Sequence, residues 1–299
     1  MAPPRPSRPD ALRPSVADCL AAWAARVRAD REQVERCREV EDPSDFYAPV
    51  AQRFAQDPAR TDEPVLDELL ALARVDDTWL DIGCGGGRYA LPLARRVHRL
   101  TAVDPSPAML DVLRTGLAAH AIDNVDIIEG RWPDLDGPHP RTDVALMAHV
   151  GYDIEAIGPF LAATEAASRH CVAVMGEGSM TTAASMLWEP VHGEPRVPLP
   201  ALPELVTLLL AMGRLPQVTL AERTPSAFGS LEELLTMSRR QLWVRPDSSR
   251  DRRLVALATA RASRREQGWA LDWQPSAIGI VSWETVEPGA PAPGDRALT

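Results

Sequence analysis

Four glycines within five positions, preceded by an acid, form the segment of this sequence with the clearest chemical meaning. The segment reads WLDIGCGGGRYALPLA over residues 79–94, where an apolar run stops at Asp81 and a helical pattern follows the glycines. Glycine accepts positive φ values and lets a ligand approach the backbone closely. A turn of this kind, set between a strand and the start of a helix, predicts an anion or cofactor site.

Two classes of cofactor compete for this turn. A dinucleotide site needs G-x-G-x-x-G or a final alanine, but its sixth position here is the bulky Arg88. The alternative pattern, acid-x-G-x-G-x-G, is met in full by Asp81, Gly83, Gly85 and Gly87. An acid in this place would repel a pyrophosphate, whereas it suits a ligand that carries a cationic amine. The spacing therefore favours an amine-bearing cofactor over a dinucleotide.

A second acid ends the next apolar run. RLTAVD stops at Asp104, which lies 23 residues after Asp81 (104 − 81). In open α/β sheets an acid about 20 residues after the glycine turn accepts hydrogen bonds from ribose hydroxyls. The alternative is that Asp104 only caps the helix that begins after Pro105.

These segments resemble the first two motifs of the class I S-adenosylmethionine-dependent methyltransferases. NVDIIEGRWPDL resembles the family's third-strand motif beside the adenine, and TDVALMAHVGYD resembles its fourth strand. The resemblance covers roughly residues 45–285, and the segments after the fifth strand look like a bacterial subgroup of these enzymes. It implies a Rossmann-like α/β fold, a seven-stranded, mostly parallel sheet with helical lid additions. It also implies methyl transfer from S-adenosylmethionine to an oxygen, nitrogen or carbon nucleophile.

The resemblance also implies a set of residues that contact the cofactor. They are Asp81, Gly83, Cys84, Gly85, Gly87, Asp104, Pro105, Ser106, Met109, Gly130, Arg131, Trp132, Ala148 and His149. Many relatives carry an acid directly after the third-strand glycine, whereas here Arg131 and Trp132 follow it. We therefore expect the adenine to be recognised by the Trp132 backbone, by stacking, or by Asp134.

Candidate catalytic residues follow the fourth strand and lie in the segment after the fifth. His149 and Tyr152 come where ligands bind in open α/β sheets, outside the carboxyl ends of the strands. A histidine there can serve as a general base near neutral pH, or simply shape the pocket. His192 is a further candidate, with a structural role as its alternative. Four tryptophans are expected either to line an acceptor pocket or to pack in the hydrophobic core of the added helices: Trp188, Trp243, Trp269 and Trp273.

Apolar runs and helical patterns alternate from residue 78 onward, which predicts a parallel sheet covered on both faces. The predicted strands are 78–82, 99–103, 125–129, 143–148, 171–175, 217–222 and 277–284. The predicted helices are 15–39, 87–97, 107–119 and 156–169, with two more helical patterns in 229–270.

We expect one methyltransferase domain over residues 15–287, flanked by disordered tails at 1–14 and 288–299 that are rich in proline. Its parts are an N-terminal helical lid (15–60), a cofactor-binding core (61–175) and two segments that cap the substrate (176–200 and 229–270).

Composition limits the partners and the chemistry. The formal net charge is −10, from which we expect no nucleic acid partner and a small-molecule acceptor. All basic residues are arginine, so mechanisms that need a lysine nucleophile are excluded. The four cysteines lack metal-binding spacing, and no apolar stretch is long enough to span a membrane. We therefore expect a cytoplasmic protein without a metal or a membrane partner. A methyltransferase that acts on a macromolecule and a non-catalytic protein that binds S-adenosylmethionine are the alternatives.

Overall fold

The computed structural model describes residues 14–41, 43–61, 63–179, 182–222, 227–266, 268–271 and 277–285. The side chains of residues 182–185 are not described. The predicted tails, apart from residue 14, and Trp273 lie outside the described residues.

The described residues form nine α-helices, one 3-10 helix and nine strands. The α-helices are α1 (Val16–Cys37), α2 (Pro64–Leu72), α3 (Ala90–Ala94), α4 (Pro107–Ala119), α5 (Ile157–Ala167), α6 (Thr182–His192), α7 (Leu202–Ala211), α8 (Leu231–Gln241) and α9 (Ser249–Arg261). The strands are β1 (Thr78–Ile82), β2 (Arg99–Asp104), β3 (Val125–Glu129), β4 (Thr142–Ala148), β5 (Ser168–Gly176), β6 (Gln217–Glu222), β7 (Ala262–Arg265), β8 (Gly268–Leu271) and β9 (Ala277–Glu284). The 3-10 helix spans Ala48–Phe54.

Seven strands form one sheet in the order β3-β2-β1-β4-β5-β9-β6. The pairs from β3 to β5 are parallel, and β9 runs antiparallel to both β5 and β6. The predicted seven-stranded, mostly parallel sheet is confirmed. The chain crosses from β3 back to β4 beside β1, so β1 and β4 flank the point where the strand order reverses. Ligands bind outside the carboxyl ends of the strands at such a point.

Both faces of the sheet are covered, because neighbouring residues of a strand point to opposite sides. Leu80 belongs to the apolar cluster on one face, and Trp79 to the cluster on the other. Phe160 of α5 and Trp23 of α1 join the first cluster, whereas Leu110 of α4 joins the second. The sheet is therefore held in three layers, and its strand ends are fixed against helices on both sides.

A third apolar cluster lies in the elements added to the sheet, and we call it the cap cluster. It combines the end of α1 with α6, α8 and α9, through residues such as Val34, Trp188, Leu234 and Leu254. Because α1 also places Trp23 in the sheet cluster, this one helix links the cap to the core.

The region 229–270 differs from the sequence prediction. Two helices are present, but the second ends at Arg261 and the chain then forms the antiparallel hairpin β7–β8. Gly268 starts the return strand at a φ of +127°, with its Cα facing the backbone of Phe228, so no side chain would fit there. The predicted helix over 87–97 is also shorter, because only 90–94 is α-helical.

Candidate functional site

The glycine turn folds back over the end of β2. The Gly83 and Cys84 amides both donate to the Val103 carbonyl, at 2.7 and 3.1 Å. Gly83, Gly85 and Gly87 have φ values of +72°, +54° and +89°, which other residues adopt only with strain. Burial raises the pKa of the Cys84 thiol well above its ordinary value. Cys84 is therefore a small buried filler and not a thiolate nucleophile.

The glycines differ in what surrounds them. A Cβ on Gly83 would lie 2.5 Å from Val150, and one on Gly87 would lie 2.7 Å from Leu113. A Cβ on Gly85, in contrast, would meet no atom within 4 Å. Packing thus requires glycine at Gly83 and Gly87, whereas at Gly85 the bare backbone faces open space that a ligand can occupy.

Asp104, the last residue of β2, closes the turn from the other side. One of its carboxylate oxygens accepts from the Gly85 amide at 2.8 Å, and the other accepts from the Ser106 amide at 2.8 Å. The Gly130 amide donates to its backbone carbonyl at 3.1 Å. The carboxylate is therefore fixed beside Gly85, and each oxygen keeps a further lone pair with which to accept from a ligand.

Asp81 is buried beside this carboxylate. Asp81 is 2% exposed. Burial, followed by the charge of Asp104, raises the pKa of Asp81 to about 7. Burial also raises the pKa of Asp104, although the hydrogen bonds from Ser106 and Gly85 oppose the shift. A buried acid whose ionisation is disfavoured by a neighbouring acid forms a site that a cation would stabilise.

Ser106 connects this site to α4. Its hydroxyl accepts from the Met109 amide at 3.2 Å and so caps the helix. The same hydroxyl donates to Asp45 at 2.7 Å. Pro105 is exposed between these groups, whereas Met109 is buried against Ala51. Met109 is therefore placed in the core and Ser106 is buried at the start of α4, so Pro105 is the exposed residue of the three.

The third-strand motif departs from one expectation. The Trp132 ring is buried in the sheet cluster, its Nε1 donates to the Thr164 hydroxyl at 3.1 Å, and it stacks on His139. The indole is therefore packed in the core, while the Trp132 backbone and Asp134 stay predicted contacts of the adenine. Arg131 is exposed, and its charge lowers the pKa of Asp104 against the effect of burial.

The residues after β4 lie at the carboxyl ends of the strands. Ala148 is the last residue of β4, and the His149 amide donates to the Val174 carbonyl of β5 at 2.8 Å. His149 has a φ of +59°, and its side chain is half-buried. The Tyr152 hydroxyl is buried and accepts from the Gly176 amide at 2.8 Å. Tyr152 thus ties the loop after β4 to the end of β5.

His192 lies elsewhere in the chain. Its ring stacks on Trp188 at 4.1 Å between centroids, and its Nε2 contacts the Leu242 carbonyl at 2.9 Å. Burial lowers its pKa, which keeps it neutral near pH 7. These contacts belong to the cap cluster, where Trp243 and Trp269 also pack. Its described contacts are those of a packing residue, and none of them joins the glycine turn.

Two further features of the site escaped the sequence analysis. Arg88, the residue that argued against a dinucleotide, binds the buried Glu63 at 2.6 Å and so anchors the turn to the start of α2. Asp45 accepts from the Tyr47 and Ala48 amides at 2.9 and 3.2 Å, in addition to Ser106. The available signal was an aspartate four residues before a proline, which is typical of the start of a helix.

Residues 80–170 match the family model described as a methyltransferase domain. They include the end of β1 from Leu80, the glycine turn, β2 and β4, and thus Asp81, Gly85, Asp104 and His149. Over these residues the chain is therefore similar to a methyltransferase domain, and this match implies S-adenosylmethionine as the methyl donor.

Three similar proteins illustrate the range of relatives. A probable cobalt-precorrin-6B C(15)-methyltransferase (decarboxylating) of Methanothermobacter thermautotrophicus is 34% identical over 27% of this chain and 43% of its own length. A tRNA/tmRNA (uracil-C(5))-methyltransferase of Pseudomonas aeruginosa is 38% identical over 19% of this chain and 16% of its own length. The solved structure of the YcgJ protein of Bacillus subtilis has a TM-score of 0.52 at 15% identity, covering 74% of this chain and 98% of that one. The chain thus spans less than half of either curated relative, and the YcgJ likeness supports the fold alone.

The exclusion of nucleic acid as a partner is wrong. Among the relatives that match is an enzyme named for its action on tRNA and tmRNA. Net charge averages over the whole surface, and it does not determine which acceptor a donor-binding core of this family serves. In the described part of the chain, no helix combines the length and the apolar character needed to cross a membrane.

Proposed function

We propose that the glycine turn of this chain binds S-adenosylmethionine and that the protein transfers the methyl group to a small-molecule acceptor. One observation carries the proposal: the open backbone at Gly85 lies between two buried acids and is hydrogen-bonded to one of them. The second candidate is an RNA acceptor, which the match to a tRNA/tmRNA methyltransferase favours.

The residues of the turn fit each part of the donor. Asp104 would accept from the ribose hydroxyls through the lone pairs that Gly85 and Ser106 leave open. Asp81 would supply negative charge to the cationic amino group of the donor. Because burial raises the pKa of Asp81, a cation beside this carboxylate would stabilise its charged form. The space in front of Gly85 would hold the ligand against the backbone.

The reaction needs little from the protein beyond alignment and exclusion of water. When bound, S-adenosylmethionine supplies a methyl group on a sulfonium, which is already a good leaving group. The chain's own part is to hold the acceptor nucleophile in line with this group. His149, at the end of β4, would take a proton only from an acceptor that must lose one.

A small acceptor is supported by the way arginines are used around the cap. Arg28 and Arg31 of α1 both bind Glu155, Arg36 binds Glu194, and Arg239 of α8 binds Asp251. Arginines paired in this way are less available to phosphates than those of a basic groove would be. The apolar cap cluster, whose helix α6 follows β5 in the chain, would exclude water from the reaction.

The site is tested by titrating S-adenosylmethionine into Gly85→Ala and Gly213→Ala. Both glycines have positive φ, +54° and +77°, and a Cβ on either would meet no atom within 4 Å. Each substitution should therefore cost similar stability, about 1–2 kcal/mol. Only Gly85→Ala should lose affinity, by about tenfold or more, because its methyl group enters the proposed ligand volume. Equal affinity in the two variants would place the donor elsewhere.

The acceptor is tested with labelled S-adenosylmethionine, offered in parallel to a metabolite extract and to total RNA. Transfer to a small molecule that Gly85→Ala does not catalyse supports the proposal. Transfer to RNA alone would replace it with the second candidate. Donor binding without turnover in either arm would indicate a non-catalytic binding protein.

A further inference from the structure

The seven-stranded sheet ends at two edge strands, β3 and β6, and the two edges differ in charge. β3 carries Asp126 and Glu129 within its five residues. In contrast, the chain has no charged residue over 215–221, and the charge of β6 is confined to its last residue, Glu222. Charged side chains on an edge strand hinder its pairing with a further strand. Of the two edges of this sheet, β6 is therefore the one that lacks this protection.

Exposed apolar side chains are concentrated beside this unprotected edge. Four of them lie within residues 210–220: Leu210, Leu215, Val218 and Leu220. Leu215 is 84% exposed and Leu220 is 65% exposed. The charge of the neighbouring Arg214 is already used, because its Nε and Nη2 bind the Glu165 carboxylate at 2.8 and 2.7 Å. An uncharged, apolar edge strand is suited to pairing with another strand.

The register of β6 with β9 shows which face these side chains occupy. Val218 is opposite Val281, and Leu220 is opposite Gly279. Residues directly opposite each other in an antiparallel pair share a face of the sheet. A Cβ on Gly279 would lie 2.5 Å from Leu202 of α7, so α7 covers β9 on this face. Val281 is buried, whereas Val218 on the next strand is exposed. The helix layer on this face therefore covers β9 but leaves β6 open.

We propose that β6 pairs with β6 of a second copy of this chain, antiparallel and with Thr219 on the twofold axis. The two seven-stranded sheets would then form one continuous sheet. This inference goes beyond the proposed function, because β6 lies three strands from β4 and the strand-end site takes no part in the pairing.

The sequence of β6 is complementary to itself in this register. Val218 would lie opposite the second copy's Leu220, and Leu220 opposite the second copy's Val218. The four side chains would form one apolar row on the α7 face, while Thr219 would face its own equivalent on the other side of the sheet. Apolar cross-strand pairs and threonine pairs both stabilise antiparallel strands. A twofold contact of this kind joins identical patches, as in most dimers of identical chains.

Charge also favours a second copy at this edge over the opposite one. With a net charge of −10, two copies of the chain repel each other over most of their surfaces. At β3, pairing would bring the acids of two copies together, whereas the segment 215–221 has no charge to oppose. In the proposed register each Glu222 would lie opposite the second copy's Pro216, so the two Glu222 carboxylates stay at opposite ends of the pair.

The pairing is tested by measuring the mass of the protein in sedimentation equilibrium over a range of concentrations. The wild-type protein should have twice the mass of one chain. Leu220→Asp places a charge against the second copy's Val218 at two symmetric sites, so a tenfold loss at each site should weaken the dimer by about a hundredfold. Met186→Asp is the control, because Met186 is also an exposed apolar residue but lies on α6 in the cap, and its dimer should keep the wild-type affinity.

Cysteine cross-linking tests the register. Thr219→Cys would bring two thiols opposite each other, with Cα atoms about 4.5–5.5 Å apart, a separation that a disulfide spans. Gln217→Cys is the matched control, because the two introduced thiols would lie four residues apart along the strands, about 14 Å. With oxidised glutathione, Thr219→Cys should give a covalent dimer on a non-reducing gel and Gln217→Cys should not. The wild-type protein, treated in the same way, shows what the native cysteines contribute.

The outcomes decide the proposal whether or not the protein binds a methyl donor. A dimer that Leu220→Asp dissociates and Thr219→Cys traps supports it. A wild-type protein that stays a single chain at every concentration overturns it. A dimer that Leu220→Asp leaves intact also overturns it, because the two copies would then meet on another surface. Equal cross-linking of Gln217→Cys and Thr219→Cys overturns the proposed register. Circular dichroism of each variant confirms that the masses are those of folded protein.

Discussion

Asp81 shows how a single residue destabilises the free protein in favour of a ligand. Its pKa is raised to about 7 in the fold, whereas an aspartate in an unfolded chain has a pKa of about 3.9. Between these values the folded state binds more protons, so stability decreases as the pH rises through this window and stays lower above it. A bound cation would reverse the effect.

We therefore predict that Asp81→Asn stabilises the free protein, and that the gain grows between pH 5 and pH 8. Each unit of pKa difference corresponds to about 1.4 kcal/mol, so we expect at least about 1 kcal/mol more at pH 8 than at pH 5. Urea unfolding at the two pH values measures this, with Asp111→Asn on the exposed face of α4 as control. A gain that does not depend on pH would contradict the burial of an ionisable Asp81.

At the residue scale the sequence predicted the acids and the glycines but not their separate roles. Spacing alone treats Gly83, Gly85 and Gly87 alike, and only the packing of Val150 and Leu113 shows that the first and last are needed for space. The sequence placed the Trp132 backbone beside the adenine, but it did not show that the indole bonds to Thr164 in the core. The direction of a side chain depends on tertiary contacts, which a local motif does not contain.

At the element scale, the prediction succeeded where periodicity is strong and failed where contacts are distant. The strands of the sheet were found because apolar runs alternate with helical patterns. The hairpin β7–β8 was missed, because its strands have four residues each and too few positions to show a period. Residues 45–54 were assigned to a lid, which stays a prediction, and the sequence did not show that Asp45 and Phe46 are anchored on Ser106 and Arg240, 61 and 194 residues away.

The attachment of the cap to α1 can be tested at Asp30. Its carboxylate binds the Arg196 Nε at 2.9 Å, both side chains are about one-tenth exposed, and the guanidinium lies over the Trp188 ring at 4.4 Å. Asp30→Asn leaves this buried guanidinium without a counter-charge, so we expect a loss of about 3 kcal/mol in the free energy of unfolding.

The control is Arg31→Gln, which breaks the exposed pair with Glu155 on the same helix and should cost less than about 1 kcal/mol. Urea unfolding midpoints of the two variants measure the difference. Equal losses would mean that the Asp30–Arg196 pair does not hold the cap on α1.

At the scale of the whole molecule, the charge of the chain was a poor guide to its partners. The net charge of −10 sums over every surface, whereas the site depends on a few acids at the strand ends. Arginines that bind carboxylates, such as Arg239 with Asp251 and Glu232, add nothing to a local basic patch. Acceptor choice must therefore be measured on the molecule and not deduced from its composition.

Donor binding should stabilise the fold as a unit, because the site is built from parts of all its layers. Asp81 and Gly85 belong to the sheet and its turn, and Ser106 begins α4. Residues 45–54 join these parts to the cap through their hydrogen bonds with Ser106 and Arg240. A ligand present at a hundred times its Kd stabilises a folded protein by about 2.7 kcal/mol. In a chain of this size that corresponds to a rise in Tm of roughly 4 °C. We expect this rise with S-adenosylmethionine, measured by calorimetric melting of the wild-type protein. We expect no rise with NAD, and at most about half of the rise with Gly85→Ala, because its affinity is lower by about tenfold or more. A similar rise with NAD would restore the dinucleotide site that Arg88 argued against, and a rise that Gly85→Ala retains would move the donor away from the glycine turn.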